Sequence, residues 1–110
     1  EYGWAYGKDG HNLKGKYVFN CISTGGSKEA YQYEGRNRFP INVLLSPFDQ
    51  TAFLCEMIYL PPFVVHSANK LSKEESSRYA ENYRYLISNL TNESIQINSL
   101  SGLENLNNLI

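Results

Sequence analysis

Residues 16–37, KYVFNCISTGGSKEAYQYEGRN, decide how the chain is read. Lys16 to Ser23 is rich in β-branched and aromatic side chains and mostly apolar on both faces. That is the pattern of a strand covered on both sides in a parallel sheet. The strand stops at Ser23-Thr24-Gly25-Gly26. Two adjacent glycines have no Cβ, so a flat ligand can approach their N–H groups closely. In open α/β sheets ligands bind at this carboxyl end of the strands. The polar and aromatic run that follows (Glu29, Tyr31, Tyr33, Glu34, Arg36, Asn37) suits a ligand loop. A surface loop with a Gly-Gly hinge is the other reading of the same residues.

The chain has 110 residues, at most one domain, with a formal net charge of −1. That balance, and the lack of a basic run, argues against nucleic acid as a partner. The longest apolar stretch, Ile58 to Val65, contains Pro61-Pro62 and falls well short of the ~20 residues that span a bilayer. The first residues, EYGWAYG, lack the pattern of a signal peptide, and the chain starts without Met, as a processed chain or a fragment would. Cys21 and Cys55 each sit in an apolar element, which predicts buried reduced thiols, and no metal site is expected. Tyr2, Trp4, Tyr6, Tyr31 and Tyr33 cluster in the first third and flank the glycine loop. Rings with a polar tip suit a planar-ligand pocket or a subunit interface.

Glu1 to Gly7 reads as the end of a helix or an extended lead-in. Asp9-Gly10 marks a turn, with His11 solvated in it. Phe39-Pro40 is a boundary. Beyond it Ile41, Leu44, Leu45, Phe48, Ala52 and Cys55 make one helical face. Pro47 interrupts that face and predicts a kink or two short helices. Ile58 to His66 reads as the next strand, and its prolines limit pairing. His66, at that strand's carboxyl end, stands at a ligand-side position, though satisfaction by local backbone is the favoured reading. Ser72-Lys73-Glu74-Glu75 is a capping box, predicting a helix from Lys73 to about Leu90 with Tyr79, Tyr83, Leu86, Ile87 and Leu90 on one face. Ser94 to Ile110, with Leu100, Leu103, Leu106 and Leu109, reads as a short amphipathic helix or a frayed tail. The first strand, the helical region and the second strand fit one right-handed crossover. Two strands are too few for a covered parallel sheet. Further strands must therefore come from a missing N-terminal part or from another chain.

Ser23-Thr24-Gly25-Gly26, Glu29-Ala30-Tyr31, Glu34-Gly35-Arg36-Asn37-Arg38-Phe39-Pro40, Pro47-Phe48-Asp49-Gln50-Thr51-Ala52 and Leu60-Pro61-Pro62-Phe63 occur in this order. Together they resemble the flavodoxin-like NAD(P)H:quinone oxidoreductases, and among those the ancillary proteins of glutathione-regulated potassium-efflux systems. The resemblance covers roughly Glu1 to Leu90 and leaves 91–110 as a tail. It implies an α/β flavodoxin-like parallel sheet with helices on both faces, whose N-terminal strands are missing from this chain. It also implies a noncovalent FMN or FAD, a homodimer, and hydride transfer from NAD(P)H through the flavin to a quinone. Ser23, Thr24, Gly25 and Gly26 would contact the flavin ring. Tyr31 would hydrogen-bond the ring and stabilise its negative charge. Asn37 stands where the well-known quinone reductases place a histidine, so a histidine relay is in doubt at that position. Trp4 and Tyr6 would line the quinone and nicotinamide pocket. The phosphate contacts would lie upstream, so this chain alone would bind flavin poorly. An alternative role is a regulatory subunit that binds and activates a potassium-efflux antiporter. The implied location is the cytoplasm, or the inner face of the cell membrane as a peripheral protein.

Overall fold

The computed structural model describes residues 1–93, 95–100 and 102–109. Its centre is a parallel ladder in two parts. β1 (Tyr17–Val18) pairs with β3 (Ile58–Tyr59), and β2 (Cys21–Ser23) pairs with β4 (Phe63–Val65). The break follows from Pro61 and Pro62, which have no N–H to donate. On either side of them the Leu60 N–H donates to the Val18 carbonyl at 2.8 Å and the Phe63 N–H to the Asn20 carbonyl at 2.9 Å. Between the two parts one strand uses Phe19 and Asn20, the other Leu60, Pro61 and Pro62. The proline strand thus carries one extra residue, a bulge in the ladder. The Tyr59 hydroxyl donates to the Asn20 side chain across the gap.

The crossover between the strands is two helices, α1 (Ile41–Leu44) and α2 (Ser46–Leu54). Leu45 closes one and opens the other, and Pro47 lies in the first turn of α2. Proline costs nothing there, because the first-turn N–H groups have no partner inside the helix. The expected interruption is therefore two helices rather than a kink. Leu45, Ala52 and Cys55 of the predicted apolar face are buried. Leu44 and Phe48 are not, and with Phe53 and Leu54 they leave an apolar surface open to solvent.

α3 (Lys73–Thr91) begins at the predicted capping box: the Glu75 N–H donates to Ser72 Oγ and the Ser72 N–H to Glu75 Oε1, both at 3.1 Å. Leu86 of α3 is fully buried with Leu60, Phe63, Leu100 and Leu106, and Tyr79, Tyr83 and Leu90 pack around them. The Tyr83 ring meets Phe63 edge-on at 5.3 Å.

Three expectations are corrected. The first strand is not covered on both faces: Tyr17, Cys21 and Ser23 are exposed, although the Cys21 thiol reaches Tyr83 of α3. Cys21 is thus an exposed thiol, while Cys55 is buried; both are free. His11 is not merely solvated. Its Nδ1 lies 2.6 Å from Glu56 Oε1, and its Nε2 lies 2.9 Å from the Lys8 carbonyl.

The third correction concerns the C-terminal segment. It is neither frayed nor a regular amphipathic helix. Two single 3-10 turns, Ile97–Leu100 and Leu106–Leu109, carry Leu100 and Leu106 into the core. Asn107 lies against the outer edge of β4. It accepts from the Val64 N–H at 2.9 Å and donates to the Val64 carbonyl at 2.9 Å, doing with one side chain what a neighbouring strand does with its backbone. Ser94, Ile110 and the Leu109 side chain lie outside the described residues.

Candidate functional site

The carboxyl ends of β2 and β4 lie side by side, and their loops are laced together. The Thr24 N–H donates to the Val65 carbonyl, the Ala68 N–H to the Thr24 carbonyl, and the Ser67 N–H to the Gly26 carbonyl, at 2.9, 2.9 and 3.0 Å. Ser67 takes a left-handed conformation, φ +52°, to make that turn. The Thr24 hydroxyl donates to the Gly26 carbonyl at 2.9 Å and lies 3.0 Å from His66 Nδ1.

The two glycines differ. A Cβ on Gly25 would meet no atom within 4 Å, so its backbone faces open space. A Cβ on Gly26 would come within 3.3 Å of Ala30 and Tyr31 and 3.2 Å of Asn37 Nδ2. Among the described residues, neither the Gly25 nor the Gly26 N–H donates to a backbone carbonyl. After them Lys28–Ala30 forms one 3-10 turn. The chain then folds back, with the Asn37 N–H donating to the Ala30 carbonyl at 2.9 Å. Gly35 permits this, since a Cβ there would lie 2.4 Å from the Glu29 carbonyl oxygen.

These loops surround a cavity of about 630 Å³ lined by Gly25, Gly26, Glu29, Arg36, Asn37 and Lys70, among others. Its charged lining is one carboxylate and two cations, suited to a polar or anionic ligand. Tyr31 stands half-buried behind the wall, its ring 5.5 Å from the His66 imidazole and tilted 35° to it. Burial holds the His66 ring below the ordinary histidine value, and the Lys28 ammonium adds to this; Glu29 and Glu104 oppose it.

Of the residues singled out by sequence, Thr24, Gly25, Gly26, Tyr31 and Asn37 come together here. Ser23 ends β2, exposed, just before them. Trp4 and Tyr6 do not line the cavity. They sit in the N-terminal turns, where Tyr6 packs edge-on against Tyr2 at 5.5 Å. His66 is the residue that sequence reasoning undervalued: its partners are a side-chain hydroxyl and a ring, not local backbone. The available signal was its place at a strand's carboxyl end.

A family profile described as a flavodoxin-like fold matches residues 1–87. The chain belongs to this flavodoxin-like family. Its parallel ladder, with a glycine loop at the carboxyl end, is the family's architecture in part. The ancillary protein KefG of the glutathione-regulated potassium-efflux system of Salmonella newport (strain SL254) is 37% identical over 87 residues, 79% of this chain and 48% of KefG. Two solved members of similar fold are the general stress protein 14 of Treponema denticola in complex with FMN (33% identity, TM-score 0.75, covering 82% of this chain and 51% of that one) and an NADPH-quinone reductase of P. pentosaceus (30% identity, TM-score 0.68, 76% and 49%). The chain spans about half the length of the curated relatives it matches. Among the described residues, no helix is long and apolar enough to cross a membrane.

The ring side of a flavin site fits what is present. Gly25 offers an open backbone whose space a side chain would fill, and among the described residues no backbone carbonyl accepts from the Gly25 or Gly26 N–H.

Proposed function

We propose that this chain forms one wall of a flavin site in an oxidoreductase that passes a hydride from NAD(P)H to a quinone. The observation that carries the reading is the open Gly25 backbone beside Gly26 and Asn37 at the cavity wall, with Tyr31 against Gly26 behind it. The FMN complex and the NADPH-quinone reductase among its relatives support it. Flavin, as FMN or FAD, would supply the hydride-accepting ring. Gly25 and Gly26 would hold that ring through their N–H groups, with Ser23 and Thr24 shaping the turn. Tyr31 would aim a hydroxyl donor at the negative charge of the reduced state, a preorganised stabilisation. Asn37 would add a donor that does not titrate near neutral pH. Trp4 and Tyr6 would serve the quinone and nicotinamide from a neighbouring surface. A homodimer would cover the exposed apolar side chains of the chain, and the protein would act in the cytoplasm.

The test is to purify the complete protein that carries this chain. A bound yellow chromophore and NAD(P)H oxidation coupled to a quinone are expected; a colourless, inactive complete protein overturns the reading.

The identity to KefG favours a second role, in which the protein docks at the inner face of the membrane on a potassium-efflux antiporter and activates it. Potassium efflux measured with and without the protein separates the two roles. An unchanged flux removes the second.

A further inference from the structure

Thr24 has one hydroxyl proton, and it goes to the Gly26 carbonyl at 2.9 Å. Towards His66 the Thr24 oxygen can then only accept. The 3.0 Å contact with His66 Nδ1 therefore requires the ring proton to be on Nδ1. In the neutral ring the lone pair is left on Nε2. The chain His66 Nδ1–H to Thr24 Oγ1, then Thr24 O–H to the Gly26 carbonyl, ties the end of β4 to the glycine loop. The same imidazole lies against Tyr31, 5.5 Å between ring centres.

We propose that His66 is the positioning residue of this site: its Nδ1–H fixes Thr24 and the glycine loop, and its Nε2 is the proton-exchanging position beside Tyr31. The first half stands on the geometry alone. The second half rests on the reading of the cavity as a flavin wall. Protonation at Nε2 leaves the Nδ1–H donor in place, so the loop keeps its shape while a positive charge forms beside Tyr31, behind the cavity wall. The charged groups that bear on the ring are Lys28 and Glu29 of the turn and Glu104 of the C-terminal segment, with Tyr31 and Thr24 as its neutral neighbours. Burial and Lys28 outweigh the two carboxylates, so the ring is neutral near pH 7 and charges only below its ordinary 6.5.

Two experiments test this independently. In the first, a long-range 1H–15N spectrum of the chain above neutral pH should show Nδ1 protonated and Nε2 bare, and Thr24→Val should abolish that preference. An Nε2-protonated ring overturns the proposal. The second uses the complete protein with FMN as probe, followed by quenching of its fluorescence. Relative to His66→Asn, wild-type affinity should change on acidification below 6.5, as the imidazolium forms beside the ring site. His66→Asn keeps a donor near the Nδ1 position but cannot titrate. Its affinity at neutral pH should stay within about twofold of wild type and follow with pH only the titration of the FMN phosphate, at about 6, whereas His66→Ala should lose about tenfold, the worth of one hydrogen bond. Equal losses in both variants overturn the positioning role, and a pH profile shared by His66→Asn and wild type overturns the titrating role. If the Nδ1–H form is seen but wild type ignores FMN, the flavin reading fails with the titrating role, and the tie between His66 and Thr24 stands.

Discussion

A single methyl group separates two glycines of the loop. At Gly25 it would enter open space, and at Gly35 it would lie 2.4 Å from a carbonyl oxygen. Gly35→Ala should therefore destabilise the fold by about 1–3 kcal/mol, the usual cost of forcing atoms into a packed site. Urea unfolding of the chain measures it, and an unchanged midpoint would show that the loop yields freely. Gly25→Val should change stability by no more than about 0.5 kcal/mol, as at an open surface position. If the proposed flavin wall is right, it should nonetheless abolish FMN binding in the complete protein, because its side chain would fill the ring's place. Tyr31→Phe should slow flavin reduction, read by stopped flow, more than it weakens flavin binding. The glycine loop is legible in sequence because its meaning is local: a strand end followed by two residues without Cβ. His66 is not, because the hydroxyl it bonds lies 42 positions away and only the parallel pairing of β2 and β4 brings them together.

Helices here obey their local signals more closely than strands do. The capping box opens α3 as its sequence predicts, and Pro47 divides the crossover because its ring fits only a first turn. Ser72→Ala should cost about 1 kcal/mol through the lost cap, lowering Tm by roughly 4–8 °C for a domain of this size. The Glu75 carboxyl is held below its ordinary 4.5 chiefly by the Ser72 backbone hydrogen bond, then by the Ser72 side chain, with a smaller contribution from Arg78. Its stabilising share is complete above 4.5 and is lost as pH falls through the lowered folded-state value. The difference in Tm between wild type and Glu75→Ala should therefore shrink on acidification through this range. A difference that stays constant would show that Glu75 takes no part. The broken ladder was harder to see. Pro61 and Pro62 announce poor pairing of their own strand, but the extra residue they bring is absorbed opposite Phe19 and Asn20, where nothing in the local sequence marks a break.

At the scale of the molecule, the C-terminal segment is a component of the core. Its leucines read as a helical stripe because their spacing is regular. Leu100 and Leu106 instead fill the space over Leu60, Phe63 and Leu86 from two short turns, a packing outcome that periodicity does not encode. Leu106 is fully buried, so Leu106→Ala should cost about 2–5 kcal/mol. Thermal unfolding of the chain checks this, and a loss under ~1 kcal/mol would place the segment outside the cooperative unit. Asn107→Ala should leave the Val64 N–H and carbonyl open to water or to another chain, raising the tendency to aggregate. Light scattering reads that directly.

That Asn107 clamp has a consequence for assembly. With the outer side of β4 capped, further strand pairing beside the β2–β4 pair is left, among the described strands, to the far side of β2. A polypeptide that extends this pair, whether covalently continuous with this chain or added separately, docks beside β2. Mixing the chain with a complementary half should therefore give saturable one-to-one reconstitution rather than open-ended polymers.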